Sequence, residues 1–199
     1  MLNRQSQYGL TLVELMIGVA IVSMLLIAAA PSFTLWIQST QNRSAAESIL
    51  NGLQLARAEA VRRNTMVRFT LTDASGLVAW NVGCVTVTDN CPATIQKRSA
   101  SEGTVNARAG ISTDAIPNPA PANQFSTEIS AGTGLGAGVS FDSMGRVPMA
   151  NVGTDITRID ITNAAMSSAR RMVVVVGTGG QIRMCDPSIA LSVNPQGCS

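Results

Sequence analysis

A long uncharged stretch dominates the N-terminal part of the chain. No residue between Glu14 and Arg43 is charged, and most of residues 15–37 are apolar. About 20 mainly apolar residues are enough for a helix to cross the hydrocarbon core of a bilayer, so residues 10–37 are predicted to form a membrane-spanning helix. Glu14 stands just inside this stretch, and an ionisable side chain in a membrane segment indicates a functional role.

Residues 38–64 keep the helical pattern but become amphipathic. Arg43 and Glu47 are four residues apart, as are Glu59 and Arg63, a spacing that favours ion pairs on an exposed helix face. The apolar positions recur on one face, at Ala46, Ile49, Leu50, Leu53, Ala56 and Ala60. Such a stripe indicates a continuation of the helix that packs against a sheet.

After the helix, apolar and polar residues alternate with the period of two that is typical of strands. Strands are predicted at residues 67–71, 77–87, 139–141, 156–161, 171–176 and 181–185. Residues 99–138 are rich in loop-forming residues, with short strands expected near Ile111 and Phe125. The chain is therefore predicted to have an α+β fold, in which a long N-terminal membrane-spanning helix packs against an antiparallel β-sheet or sandwich head, residues 65–199.

The composition argues against an enzyme. The 199 residues carry a formal net charge of +2 and include no histidine, the commonest general base and metal ligand. Asp155 and Asp160 fit ordinary strand positions better than a catalytic carboxylate pair. No catalytic residue, metal site or cofactor is predicted, and an enzyme anchored in the envelope is the least favoured function.

Four cysteines form two local pairs in the sequence. An even number behind a membrane-targeting segment indicates disulfides made outside the cytoplasm. Three pairings are open, and we favour Cys84 with Cys91 and Cys185 with Cys198, because each closes a short loop. A zinc site is disfavoured, since the C-x2-C spacing common in such sites does not occur.

A cleaved secretory signal peptide is the alternative interpretation of the N-terminus. Arg4 supplies a basic region, and the three alanines at residues 28–30 resemble a cleavage site. However, Pro31 directly follows that site, Glu14 is misplaced for the apolar region, and apolar residues continue to Ile37. The segment is therefore predicted to be retained.

Residues 9–17, Gly-Leu-Thr-Leu-Val-Glu-Leu-Met-Ile, closely resemble the class III signal of type IV pilins and type II secretion pseudopilins. The resemblance implies that a prepilin peptidase removes residues 1–9 as a leader by cutting between Gly9 and Leu10. It also implies methylation of the new N-terminus at Leu10, where this family usually has phenylalanine. Glu14 falls at the family's characteristic glutamate, and Pro31 at the proline that kinks these helices.

Cleavage would place the amine of Leu10 within about one helical turn of Glu14. We hypothesise that Glu14 pairs with the N-terminal amine of a neighbouring subunit and so sets the axial register of a helical assembly. The alternative is a carboxylate that reaches its own helix N-terminus, where the helix dipole stabilises it.

A second resemblance covers residues 56–63, Ala-Arg-Ala-Glu-Ala-Val-Arg-Arg, and the hairpin with Trp80 that follows. These features are similar to the FimT/GspH subfamily of minor pilins. The resemblance implies a pilin-like fold and a single-pass position in the inner membrane with the head in the periplasm. It also implies incorporation, together with other pilins or pseudopilins, into a pilus or a type II secretion pseudopilus.

Residues 180–183, Gly-Gln-Ile-Arg, resemble the end of FimT-like minor pilins, where a Gly-Arg-x-Arg motif is associated with DNA capture. Arg183 matches the second arginine of that motif, but Gln181 replaces the first. Arg170 and Arg171 begin the neighbouring predicted strand and would add contacts to phosphate. A DNA-binding competence pilin is therefore the second functional hypothesis. The alternative is that these arginines keep an exposed strand edge soluble.

Overall fold

One long helix, α1 (Leu12–Arg63), runs through most of the N-terminal third of the protein. The computed structural model describes residues 11–117, 119–121 and 123–198, without the side chains of residues 28 and 29. The side chain of Thr11 caps the helix start by accepting a hydrogen bond from the backbone N–H of Glu14. Asn64 ends the helix in the left-handed conformation, with φ of 49°. The prediction of a helix that continues to about residue 64 is confirmed.

The helix bends near Pro31. Its parts Leu12–Ile27 and Ala30–Arg63 meet at 42°. Proline has no N–H to donate and its ring crowds the preceding turn, so an interior proline is expected to kink a helix. Among the described residues, no single helix has the length and hydropathy of a membrane span, whereas the two parts joined at the bend have them together.

The head consists of two antiparallel four-stranded sheets. The first sheet has the order β3–β2–β1–β5, with β1 at Val67–Leu71, β2 at Trp80–Cys84, β3 at Gln96–Arg98 and β5 at Gly138–Phe141. The second has the order β4–β6–β7–β8, with β4 at Ala107–Ser112, β6 at Arg158–Asn163, β7 at Met172–Val176 and β8 at Ile182–Cys185. A short 3₁₀ helix, Met149–Asn151, precedes β6. The predicted α+β fold is confirmed.

The second half of α1 packs against both sheets and fills a common core. The predicted apolar stripe is fully buried at Ala46, Ile49, Leu53, Ala56 and Ala60, whereas Leu50 is only partly buried. Gly52 allows the closest approach, because a Cβ atom there would lie 2.8 Å from the ring of Phe69. The predicted packing of this helix face against a sheet is confirmed.

The loop-rich region contains one of the two short strands expected there. Ile111 belongs to β4, as predicted. The strand expected near Phe125 is wrong, because Phe125 lies in a turn. Its ring is 2% exposed and packs on the outer side of the second sheet, beside Val173 and the disulfide of Cys185 and Cys198. The apolar residue at position 125 is therefore explained by a ring that is buried from a turn, and not by a strand.

Asp155 also differs from its expected place. It precedes β6 and is buried, where it accepts hydrogen bonds from Arg68, at 2.9 Å, and from the backbone N–H of Ser140, at 2.7 Å. Asp155 therefore ties the end of β5 to β1 rather than taking part in a strand.

Candidate assembly site

The N-terminal half of α1 is uncovered. Its large apolar side chains from Leu12 to Ile27 are each at least 55% exposed, although equally apolar side chains further along the helix are buried. Gly18 lies in this part, and apart from the adjoining backbone of its own helix no described atom comes within 4 Å of the position of an added Cβ. The described part of the chain supplies no surface that covers this segment.

Glu14 is the one charged residue of the uncovered segment. It borders a shallow groove on the helix surface together with Leu15, Gly18, Val19, Val22 and Ser23. Within residues 11–117, 119–121 and 123–198, the carboxylate has no hydrogen-bond or ion-pair partner, and the helix start is capped by Thr11 instead. Gly9 and Leu10, the predicted cleavage and methylation residues, lie outside the described residues.

A polar network fixes the head to the helix just beyond the apolar segment. Asn42 is fully buried and donates a hydrogen bond of 2.9 Å to the carbonyl of Arg170, while its own side-chain oxygen accepts one from Asn163. Gln38 accepts a hydrogen bond from Asn106. The sequence signal for this network is the change from apolar to amide and hydroxyl side chains at residues 38–42.

The structure pairs the cysteines as Cys84–Cys91 and Cys185–Cys198, with Cα atoms 5.7 Å and 5.0 Å apart. The first pair closes the loop after β2. The second pair closes the C-terminal loop onto the end of β8, where both sulfur atoms are buried beside Phe125. Both disulfides therefore staple loops to the sheets.

The three arginines considered for DNA contacts all have acceptors within the head. Arg171 is only 16% exposed and lies 2.6 Å from the carboxylate of Asp160. Arg170 donates from Nε to the carboxylate of Asp186. Arg183 donates to the carbonyl of Cys198 at 2.8 Å. Arg170 and Arg183 are exposed and Arg171 is largely covered, so the three do not form one exposed cluster. DNA capture by these residues stays a prediction.

A buried charge cluster on the second sheet was missed in the sequence. Asp160 is fully buried and pairs with both Arg158 and Arg171, each at 2.6 Å. The two arginines also donate to backbone carbonyls of residues 124–127, and Asp160 accepts from the N–H of Ile129 at 3.1 Å. This cluster clamps the loop that carries Phe125 over the sheet. It could not be read from spacing, because its partners come from three separate segments.

The Asp186 carboxyl shows how the C-terminal loop is held. Burial raises its pKa, but hydrogen bonds from the hydroxyl and backbone N–H of Ser188 and the pair with Arg170 outweigh that effect. The net pKa lies below the ordinary value for aspartate. Asp186 is therefore a charged structural anchor that joins the end of β8 and the C-terminal loop to Arg170, which precedes β7.

A family model matches most of the head, together with the part of α1 that packs against it. The model for this family, described as type II transport protein GspH, matches residues 45–180, which is more than half of the chain. The chain belongs to the GspH family. A second model, the prokaryotic N-terminal methylation motif, matches residues 4–30. The resemblance noted from residues 9–17 and 56–63 is thus confirmed.

The solved structures that are similar to this chain include a minor pilin and a minor pseudopilin. The type IV minor pilin FimU of Pseudomonas aeruginosa is 16% identical to this GspH-family chain, with a TM-score of 0.48, covering 80% of this chain and 96% of FimU. The minor pseudopilin EpsH from the type 2 secretion system of Vibrio cholerae is 13% identical, with a TM-score of 0.47, covering 75% and 99%. No curated protein sequence matches significantly.

The family and the motif together give this chain its general role. As a GspH-family protein with the N-terminal methylation motif, it is a minor pilin or pseudopilin with a role in the assembly of a pilus or pseudopilus. The family consists of structural subunits. Within the described residues, no three His, Cys, Asp or Glu side chains form a metal-binding group.

Proposed function

We propose that this chain is a minor subunit that waits in the inner membrane and then enters a filament through the uncovered half of α1. A prepilin peptidase removes residues 1–9 and methylates Leu10. The helix then crosses the membrane once, with the head on the periplasmic side, and the same helix surface later contacts neighbouring pilins or pseudopilins.

The observation that carries this proposal is the exposure of residues 12–27 next to a fully packed head. Burying a large aliphatic side chain stabilises a protein by about 1.5–3 kcal/mol. A dozen such side chains left in water would therefore be strongly unfavourable, and an exposed apolar surface of this size marks a membrane or protein interaction site. Lipid covers it before assembly, and the helices of neighbours cover it afterwards.

Glu14 supports the contact of this surface with the helices of neighbouring subunits. A carboxylate among apolar side chains needs a cation, because an uncompensated charge in such surroundings is costly. Each mature subunit carries one N-terminal amine at Leu10 and one carboxylate at Glu14. In a regular array, the amine of one subunit neutralises the carboxylate of the next, so that every subunit contributes one donor and one acceptor.

Processing is tested by mass spectrometry of the chain isolated from cells with and without prepilin peptidase. We expect loss of residues 1–9 and gain of one methyl group only when the peptidase is present. Gly9→Ile should stay unprocessed, and Gly18→Ala is the matched glycine control that should be processed normally. An unshortened wild-type chain in the presence of peptidase would contradict this part of the proposal.

Assembly is tested by crosslinking and co-purification with partner subunits. Glu14→Leu should lose the partners, whereas Glu47→Leu should keep them, because Glu47 forms a surface pair with Arg43 on the same helix. The partners recovered with the wild type, pilins or secretion pseudopilins, identify the filament. Equal recovery with wild type and Glu14→Leu would rule out the pairing role of Glu14.

A further inference from the structure

A groove lies at the foot of the head, between α1 and the ends of β7 and β8. It has a volume of about 230 Å³. Trp36 and Thr40 form its helix side, Arg43 and Arg170 its charged rim, and Met184 and Gln196 part of its head side. The groove therefore joins the apolar segment of the helix to a pair of cations.

The two arginines present unused hydrogen-bond donors. Arg43 uses Nε to reach Glu47 at 2.9 Å, and Arg170 uses Nε to reach Asp186. Their terminal nitrogens have no acceptor in the part of the chain that the structure describes, and the side chains are 57% and 49% exposed. Asp186 also lines the groove, but it is only 2% exposed and its charge is compensated by the pair with Arg170. The pair of Arg43 with Glu47 is a surface pair, which is weak and easily exchanged.

Arg170 is held in position by the helix itself. Its backbone N–H donates to the hydroxyl of Ser39 at 3.2 Å, and its carbonyl accepts from Asn42 at 2.9 Å. The guanidinium group of a head residue is thus mounted beside the helix surface that carries Arg43. A guanidinium group suits a phosphate, which accepts several of its hydrogen bonds at once.

The groove opens at the level expected for lipid headgroups. Residues 15–36 extend about 33 Å at about 1.5 Å per residue, close to the thickness of the hydrocarbon core. Trp36 stands at the outer end of this span, with its ring centroid 6.0 Å from that of Phe33. Aromatic side chains are enriched at this boundary. Arg43 is two helical turns beyond Trp36, so the flexible arginine side chains reach the headgroup layer.

From this placement we propose that the groove binds the phosphate of a membrane phospholipid. The phosphate accepts hydrogen bonds from the terminal nitrogens of Arg43 and Arg170, while Trp36 packs on the lipid below the headgroup. This inference rests on the proposed function, since it requires the helix in the bilayer. A lipid is favoured over nucleic acid because the groove continues directly into the apolar helix surface.

The test uses the full chain in nanodiscs that contain phosphatidylglycerol and phosphatidylethanolamine, with native mass spectrometry to count the phospholipids retained after release. Loss of one charge-assisted hydrogen-bond partner is expected to weaken retention about tenfold in Arg43→Gln, and further in the double variant with Arg170→Gln. Arg62→Gln is the matched control, since Arg62 is an exposed helix arginine that pairs with Glu59 far from the groove. It should retain lipid as the wild type does.

Equal retention in Arg43→Gln and Arg62→Gln would overturn the inference. Arg43→Gln decides the matter alone, because Arg170→Gln also removes the partner of buried Asp186 and disturbs the loop. Binding of inorganic phosphate by a chain that retains no phospholipid, or binding of duplex DNA that Arg43→Gln abolishes, would assign the groove to another ligand. Extraction of the chain from membranes by alkaline carbonate would defeat the proposed function and this inference together. If the chain stays firmly in the membrane but Arg43→Gln retains as much lipid as the wild type, only the inference is defeated.

Discussion

The two halves of α1 differ in apolar content and lie in opposite environments. Residues 12–27 expose every large apolar side chain, whereas the stripe from Ala45 to Ala60 is fully buried. The arrangement of the apolar residues differs as well. The second half confines its apolar residues to one stripe and carries ion pairs elsewhere, whereas the first half is apolar on all sides. A helix that is apolar all round belongs in a core or a membrane, so the first half is built for partners outside its own chain.

Two carboxylates repeat this contrast. Asp160 is fully buried and is compensated by Arg158 and Arg171 within the head. Glu14 lies among apolar side chains and has no partner among the residues described. The head compensates its buried carboxylate internally, whereas the N-terminal half of the helix leaves its one charge for another molecule. Changing matched residues in the two regions tests this difference directly.

The largest effect on the head is expected for Asp160→Asn. Removing one partner of a buried charge cluster costs about 3–5 kcal/mol, because two arginines then lack their counter-charge. Glu14→Gln should leave the unfolding free energy of the head unchanged. Denaturant unfolding of the detergent-solubilised chain measures both. A similar loss for the two variants would mean that Glu14 is also a structural residue of the monomer, and the contrast would fail.

The apolar side chains allow a second paired test. Leu53→Ala is expected to destabilise the head by about 2–5 kcal/mol, since Leu53 is fully buried and its removal leaves a cavity. Leu25→Ala, at a position that is 64% exposed, should change the unfolding free energy in detergent by less than about 0.5 kcal/mol. A large effect of Leu25→Ala in the isolated chain would show that residues 12–27 pack on the head in solution.

The C-terminal disulfide provides a third test, limited to the head. Replacing Cys185 and Cys198 by serine opens a loop with a sequence separation of 13, which costs about 3 kcal/mol in the chain-entropy description. The unfolding free energy should fall by that amount, while membrane retention, which depends on the helix, should stay the same. Loss of membrane retention in this variant would contradict the division between the two regions.

The local patterns predicted most of the fold. The uncharged stretch and the stripe at residues 46–60 predicted the helix, and alternation predicted β1 at its observed bounds. These signals are short-range, so a single sequence contains them. The wrong strand near Phe125 came from an apolar residue in a loop, whose burial depends on β7 and on the distant Cys198.

The site residues divide in the same way. Glu14 and Pro31 were found because they interrupt an apolar pattern. The clamp of Asp160 and the groove with Arg43 and Arg170 were missed, because each joins residues more than ten positions apart, and only the tertiary fold brings such residues together. Arg170, Arg171 and Arg183 were predicted either to contact phosphate or to keep a strand edge soluble, whereas in the structure each donates to an acceptor within the head.

The smallest effect expected is an acid-dependent loosening of the C-terminal loop. The folded pKa of Asp186 is lowered, so its stabilising effect is present above the unfolded value of about 3.9 and is lost as the pH falls through the folded value. The midpoint temperature of thermal unfolding should therefore be nearly constant from pH 7 to about pH 5 and should fall below about pH 4. The fall should be shallower in Asp186→Asn. Ser188→Ala should reduce the decline too, because it removes the hydrogen bond from the Ser188 hydroxyl, which is one of those that lower this pKa. The uncovered half of the helix has no such anchor among its described residues, so membrane retention should not follow this pH profile. An acid decline that is the same in wild type and Asp186→Asn would remove Asp186 from the explanation.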